Sequence, residues 1–197
     1  MNAPQSPPPR TIRLETPNHI IRTVERDDAC ESWTNWLLDP LTAQRLNARP
    51  VKLGMEELRA YIDRFDRSKS HLLGIFEKDS GRLVGVRSIY IHYPAREFFD
   101  NILIGEAADR GKRARTESTD AILPFFFEEL GLESSLCTIL ADNTHMLEIV
   151  ARKGWVHERT QMKPSATGSG AVEVRQFRLT RDVWRRKMRE RAASKDA

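Results

Sequence analysis

Cysteine is scarce. Only Cys30 and Cys137 occur in 197 residues, far apart and in no CxxC pattern, so free thiols are expected rather than a disulfide framework or a thiolate metal site. The five histidines, His19, His71, His92, His145 and His157, show no ligand spacing with one another or with cysteine, and no metal is expected. No apolar run is long enough to cross a bilayer as a helix. The first ten residues, MNAPQSPPPR, lack the apolar core of a secretory signal, and their prolines cannot join a helix or sheet interior. Residues 1–10 therefore read as a disordered lead, and the expected location is the cytoplasm. Neither sign of charge dominates: 32 Lys and Arg stand against 28 Asp and Glu, a net +4, with a pI near 9.3. That balance admits an anionic ligand without pointing to nucleic acid or a membrane as a partner.

Hydrophobic residues make up 40% of the chain and charged residues 30%, ordinary values for a globular protein with one sizeable core. The run HIIRT, His19 to Thr23, is β-branched and reads as a strand, and Asp27 and Asp28 offer caps for a helix over ACESWTNWLL. In LGMEELRAYIDRF, Leu58, Tyr61, Ile62 and Phe65 recur at i, i+3, i+4 and i+7, the stripe of a second helix. HLLGIFEK and RLVGVRSIYIHY flank Asp79, Ser80 and Gly81, which predicts a hairpin.

DNILIG, Asp100 to Gly105, predicts the next strand, and a long helix runs to about Leu130 with Gly131 past its end. Pro124 falls inside that helix, where a kink is expected, while Phe125 to Phe127 and Leu130 read as core. SLCTIL is again a strand, and Asn143 to Lys153 a helix with Asn143 as its candidate cap. KPSATGSGA is a turn and VEVRQFRL a closing strand, followed by RDVWRRKMRERAASKDA as a short, fraying helix with Trp184 and Met188 one turn apart.

Three pieces from residue 100 to 155 belong together: ILIG followed by a turn into RGK, the helix ending FFFEELGL, and Asn143 placed eleven residues before Gly154-Trp155. With HIIRTVERDDA and WLLDP upstream, the chain resembles the GNAT superfamily of acyl-CoA N-acyltransferases, in its ribosomal-protein and spermidine acetyltransferase branch. The resemblance implies an α/β fold, a GNAT fold with a mixed central β-sheet and helices on both faces, splayed between the fourth and fifth strands, DNILIG and SLCTIL. It covers residues 11–184 as one domain, with 185–197 a basic tail. It also implies acetyl-CoA as co-substrate and an amine as acceptor, and leaves a homodimer open.

In that family a strand, a turn and a helix N-terminus aim free N–H groups at the coenzyme's pyrophosphate, and glycines allow close approach. The expected cofactor contacts are Ile102, Leu103, Ile104 and Gly105 on the strand, Arg110, Gly111, Lys112, Arg113, Ala114 and Arg115 in the loop, and Asn143 on the pantetheine arm. The loop departs from the pattern. Arg110 fills the first position and Gly111 and Lys112 the free ones, but Arg113 stands where glycine is required. Arg115 takes the last position, unless the loop is one residue shorter and Ala114 takes it. Two readings follow: guanidinium groups hold the phosphates in place of close main-chain approach, or the run is solvated surface.

The family's usual proton donors would be a tyrosine at position 150 and a serine at 146; here these are Val150 and Met146, which carry no transferable proton. His145, His92, Tyr93 and Glu106 are nearby but tied by no spacing, so the catalytic acid and base stay unassigned. Asn143 suits an N-cap and a hydrogen bond to the arm equally. The leading expectation is an N-acetyltransferase that moves acetyl from acetyl-CoA to a primary amine, a protein N-terminus or a small amine, by direct attack. Its rivals are a non-catalytic GNAT-fold module acting through protein contacts and an RNA-binding protein using the basic loop and tail. If side chains have replaced the glycines, Arg113→Glu weakens acetyl-CoA binding in calorimetric titration at least tenfold, about 1.4 kcal/mol. An unchanged affinity would reduce the run to surface.

Overall fold

In the computed structural model, which describes residues 7–105, 109, 113–168 and 170–194, the chain begins with the strands β1 (Arg13–Glu15) and β2 (His19–Thr23). The helices α1 (Glu31–Leu38), α2 (Pro40–Arg45) and α3 (Met55–Ile62) follow. Next come β3 (Ser70–Glu77), β4 (Leu83–His92), β5 (Glu97–Ile104) and α4 (Arg113–Pro124). β6 (Ser134–Leu140), α5 (Thr144–Arg152), β7 (Val156–Pro164), β8 (Ala171–Thr180) and α6 (Arg181–Ala193) complete the chain. The strands form one sheet in the order β1-β2-β3-β4-β5-β6-β8-β7. Every pairing is antiparallel except β5 with β6.

β3 is buried along nearly its whole length, because helices cover both faces of the sheet. Leu72 and Phe76 join Trp33 and Trp36 of α1 and Leu58 and Ile62 of α3 on one face. Leu73 and Ile75 join Phe98 of β5 and Ile122 and Leu123 of α4 on the other. The β3–β4 register shifts between Ile75, paired with Gly85, and Phe76, paired with Leu83, which leaves Val84 as an extra residue. The bulge turns Val84 into the α4 face while Leu83 and Val86 stay on the α1 face.

The structure adds to the sequence expectations at three places. α1 ends at Leu38, and Asp39 caps a separate α2, its carboxylate accepting from the Thr42 amide at 3.1 Å and hydroxyl at 2.7 Å, with Pro40 in the first turn. Pro124 closes α4, and Phe125–Glu129 continue as a wide π turn in which the Leu130 amide donates to the Phe125 carbonyl at 3.1 Å. A wider turn accommodates the missing proline N–H. All three phenylalanines are buried, Phe126 stacking on Phe98 with centroids 4.8 Å apart. α6 is a thirteen-residue helix held by Arg185–Glu128 and Arg181–Glu133 ion pairs and by Trp184 on Phe127. At the other end, the Pro7 carbonyl accepts from the Ser68 hydroxyl and the Arg10 amide donates to the Arg67 carbonyl.

The start of α4 is stapled to the β1–β2 turn. Glu117 accepts from the Thr16 hydroxyl (2.7 Å), the Asn18 amide (3.1 Å) and side chain (2.5 Å), and faces His19 Nδ1 at 2.8 Å. Burial opposes ionisation, but the hydrogen bonds from Thr16, His19 and Asn18 outweigh it and hold this carboxyl at about 2, against 4.5 ordinarily. Because the folded value is depressed, the stabilisation is complete above about pH 4.5 and is lost as pH falls toward 2. Glu117→Gln is expected to reduce the pH dependence of stability in that acidic window, leaving the share of other depressed carboxyls such as Asp28 and Asp66, read from urea midpoints at successive pH values.

Gly105 follows β5 directly under Trp36: a Cβ there would lie 1.9 Å from the indole ring. Its amide donates to the Val84 carbonyl at 3.0 Å, so the residue cannot shift without breaking the ladder. Gly105→Ala is expected to destabilise the fold by about 1–3 kcal/mol through overpacking, measured by chemical denaturation.

Candidate functional site

β5 and β6 run side by side for only three registers, Glu97 with Ser134, Phe98 with Ser135 and Phe99 with Leu136. Beyond that point β5 stays paired with β4 as far as Ile104, and β6 with β8 as far as Leu140. Each strand keeps its outer neighbour and loses its inner one. The Gly105 amide bonds Val84 on β4, while Ile91 on the far edge of β4 bonds Lys69; these two bonds set the phase of the ladder. Main-chain groups of odd-numbered β5 residues, Leu103 and Gly105 among them, bond β4, and those of Ile102 and Ile104 turn toward the gap. There they meet no strand partner among the described residues.

The gap widens into a groove of about 1030 Å³, lined by β5, β6, α4, α5 and α6 and by Arg45 of α2. Asn143 caps α5, its Oδ1 accepting from the Met146 amide at 3.3 Å, and its NH2 makes no hydrogen bond to a described residue. Cap and free donor therefore coexist in one side chain. Met146 lines the groove and Val150 is buried core. The Cys137 thiol also lines it, but burial and then Asp100 push its pKa far up, so it stays protonated and is no nucleophile.

The loop residues separate. Arg110, Gly111, Lys112 and Glu106 lie outside the described residues. Arg113 is exposed and lines a smaller cavity of about 470 Å³ with His19, Glu77, Asp79 and Asp109, and Ala114 is buried. Arg115 instead turns into the groove, where its guanidinium reaches the Met146 thioether on α5. Burial, followed by the charges of Arg87 and Arg45, lowers its pKa to about 10. His145 sits on the groove lining. His92 is exposed and faces Glu97 at 3.7 Å, and Tyr93 donates to the Ser68 carbonyl at 3.1 Å, so both belong to the distal end of β4.

Two features were missed in the sequence. Arg87, 1% exposed on β4, pairs with Asp100 at the opening of the gap. It also donates to Ser118 (3.2 Å), Thr119 (2.5 Å) and the Arg115 carbonyl (3.4 Å). The Asp100 Oδ1 is buried without a hydrogen-bond partner. The signal existed: a single arginine in the otherwise apolar LVGVRSIYI and a single acid opening DNILIG imply a buried pair. The second is the wall made by α6, where Lys187, Met188 and Arg191 face the groove and Arg191 reaches Asp120 of α4 at 3.5 Å.

Among solved structures, a GCN5-related N-acetyltransferase from Brucella melitensis is similar to this chain with a TM-score of 0.76 at 15% identity, over 95% of this chain and 87% of that one. A spermidine N-acetyltransferase from Vibrio cholerae, in complex with CoA and spermine, gives 0.73 at 17% identity over 84% and 97%. The ribosomal-protein-S5-alanine acetyltransferase from Vibrio fischeri gives 0.74 at 12% identity over 88% and 98%. These likenesses concern the fold. No curated protein sequence matches at a significant level. The family model described as acetyltransferase (GNAT) domain matches residues 18–156, most of the chain and the whole span from β2 through the parted strands to α5, and the protein belongs to the GNAT family of acetyltransferases.

Proposed function

We propose that the protein transfers an acetyl group from acetyl-CoA to a primary amine by direct attack of the amine on the thioester. The observation that carries this reading is the parting of β5 and β6. It leaves the Ile102 and Ile104 amides without a strand partner on the wall of a groove large enough for a coenzyme arm. The residues present fit the co-substrate. Those main-chain groups and the Asn143 side-chain amide would hold the arm, and the start of α4 with its basic loop, residues 110–114, would hold the pyrophosphate. Acetyl-CoA supplies the activated acyl group. An amide aimed at the gap would steady the oxyanion that develops on the thioester's carbonyl oxygen as the amine adds to the acyl carbon, a contribution of about 3–4 kcal/mol.

Met146 and Val150 cannot protonate a departing thiolate, and the loss of a general acid costs about 10²–10⁴ in rate. The groove offers a partial electrostatic substitute, since arginine side chains lower the pKa of a nearby thiol and favour the thiolate as leaving group. A polyamine acceptor, such as the spermine bound in the Vibrio cholerae enzyme, fits poorly in this groove, whose lining carries more basic than acidic side chains.

One observation favours a second reading, a non-catalytic GNAT-fold module: the Arg115 guanidinium spans from α4 to Met146 of α5, across the path an arm would take. Calorimetric titration with acetyl-CoA, followed by acetylation assays over a panel of amines, separates the two. Saturable binding with slow turnover, and a pH–rate profile with no falling limb from a general acid, is the expected result. Binding without turnover on any amine would establish the module reading instead.

A further inference from the structure

The charges around the groove do not cancel. Of its acidic residues, Asp100 is committed to Arg87, Asp120 to Lys153 at 3.3 Å and Arg191 at 3.5 Å, and Glu190 to Lys187 at 3.1 Å. Arg45, Arg115 and Arg152 line the same groove and have no acidic partner among the described residues. Arg152 and Arg45 are exposed, so water satisfies them. Arg115 is not: it is half-buried, and among the described residues its guanidinium finds as hydrogen-bond partner a thioether, a weak acceptor that cannot neutralise a cation. It also projects from the first turn of α4, where a positive charge opposes the helix dipole. Among the described residues this guanidinium has no acidic partner of its own, and the carboxylate whose charge reaches it, Asp100, is already paired with Arg87.

Its direction decides what that counter-charge is. A group serving only the helix N-terminus would project with Arg113, which is exposed and lies on a different cavity. Arg115 instead enters the groove, close to Asp100 and Arg45, where β5 and β6 have just parted. Arg87 cancels Asp100, so a net positive charge remains there. We propose that a substrate of this groove carries a carboxylate, and that this carboxylate pairs with the Arg115 guanidinium. The planar fork of arginine suits a carboxylate in two-point contact. Two sources share this chemistry: an acyl group that ends in a carboxylate, or an acceptor in which the amine is accompanied by one. The inference rests on the transferase reading only for the identity of the groove's occupant.

The test uses two matched pairs of probes in calorimetric titration of the full chain. Acetyl-CoA is compared with succinyl-CoA, and alanine with alaninamide, each against the wild type, Arg115→Gln and Arg115→Lys. Within at least one pair the carboxylate member is expected to bind the wild type more tightly by about tenfold or more. Arg115→Gln should erase that preference and Arg115→Lys retain part of it. The pair that discriminates identifies the source. Removing an unpaired half-buried cation should not lower the thermal midpoint, which checks that the glutamine variant is folded, and the lysine variant reads the same contact with the charge kept.

Three results overturn the proposal: equal affinity within both pairs, a preference that survives Arg115→Gln, or a weakening of acetyl-CoA and succinyl-CoA alike in Arg115→Gln, which would make Arg115 a phosphate ligand. Failure of the transferase reading looks different. No CoA thioester would then bind the wild type, while alanine against alaninamide still reports on the carboxylate.

Discussion

The parting of two parallel strands is the constraint on which the rest of the molecule depends. A parallel pair normally consumes every inward main-chain group, and burying such a group without a partner costs about 1–3 kcal/mol. Here β5 and β6 stop pairing after Phe99 and Leu136, while each stays locked to its outer neighbour. The sheet cannot close the gap by sliding, because a shift of one residue would send every buried side chain of β5 to the opposite face. The bulge at Val84 and the seat of Gly105 under Trp36 pin that register on the β4 side. The donors of Ile102 and Ile104 are thus held open by the rest of the fold, which is the preorganisation that binding a carbonyl oxygen requires.

Keeping the gap open also requires that α4 stay beside it. Two polar ties do this from neighbouring residues of α4, each reaching a different part of the sheet. Glu117 fastens α4 to the turn between β1 and β2, and Arg87 reaches from β4 to Asp100, Ser118 and Thr119. A buried ion pair contributes little net stability over a well-packed apolar pair, yet leaving one partner alone costs about 3–5 kcal/mol. Its value lies in geometry: apolar contacts between a helix and a sheet tolerate sliding, whereas a guanidinium bonded to a strand carboxylate and two helix hydroxyls fixes one arrangement. α6 adds a third restraint from outside, its Trp184 resting on Phe127 and its Arg191 on Asp120.

Much of this was legible in the sequence where local signals and tertiary context agree. The hairpin over Asp79–Gly81 announced itself by turn residues between apolar runs, α3 by its stripe, and α5 by Asn143 at its start and Gly154 past its end, the latter with φ 88° and α6 packed against it. The family resemblance located the groove, because the order of ILIG, basic loop and long helix depends on topology. What escaped reading depends on contacts distant in the chain. β1 is three residues long and exists only because β2 lies beside it. α2 is six residues, too short for a periodic stripe, although Asp39-Pro40 carried its start signal. The pairing of Arg87 with Asp100 needs the register of β4 on β5, and the direction of Arg115 needs the facing surface of α5. A local window shows that Arg87 and Asp100 are out of place in apolar strands, but not that they meet, and it says nothing of where Arg115 turns.

The replacement of glycine by arginine in the loop changes the kind of recognition the site can perform. Main-chain amides in a glycine turn are neutral, fixed in place and unable to leave; they bind by shape and lose little affinity in salt. Guanidinium groups are long, charged and mobile. Each loses up to about 2 kcal/mol of rotamer freedom when ordered, and its attraction is screened within about 8 Å at physiological ionic strength. A site built from them gains reach and net charge at the expense of preorganisation. The described residues divide these properties between Arg113, exposed beside Asp109 and Glu77, and Arg115, inside the groove against Met146. Of the two, the second is the one set where screening is weaker, because Arg115 is half-buried and Arg113 exposed. On the proposed reading the departure from the family pattern therefore acts most strongly within the groove, at the opening between β5 and β6, where a charge of this kind would alter which substrate is admitted and not merely how tightly a phosphate is held.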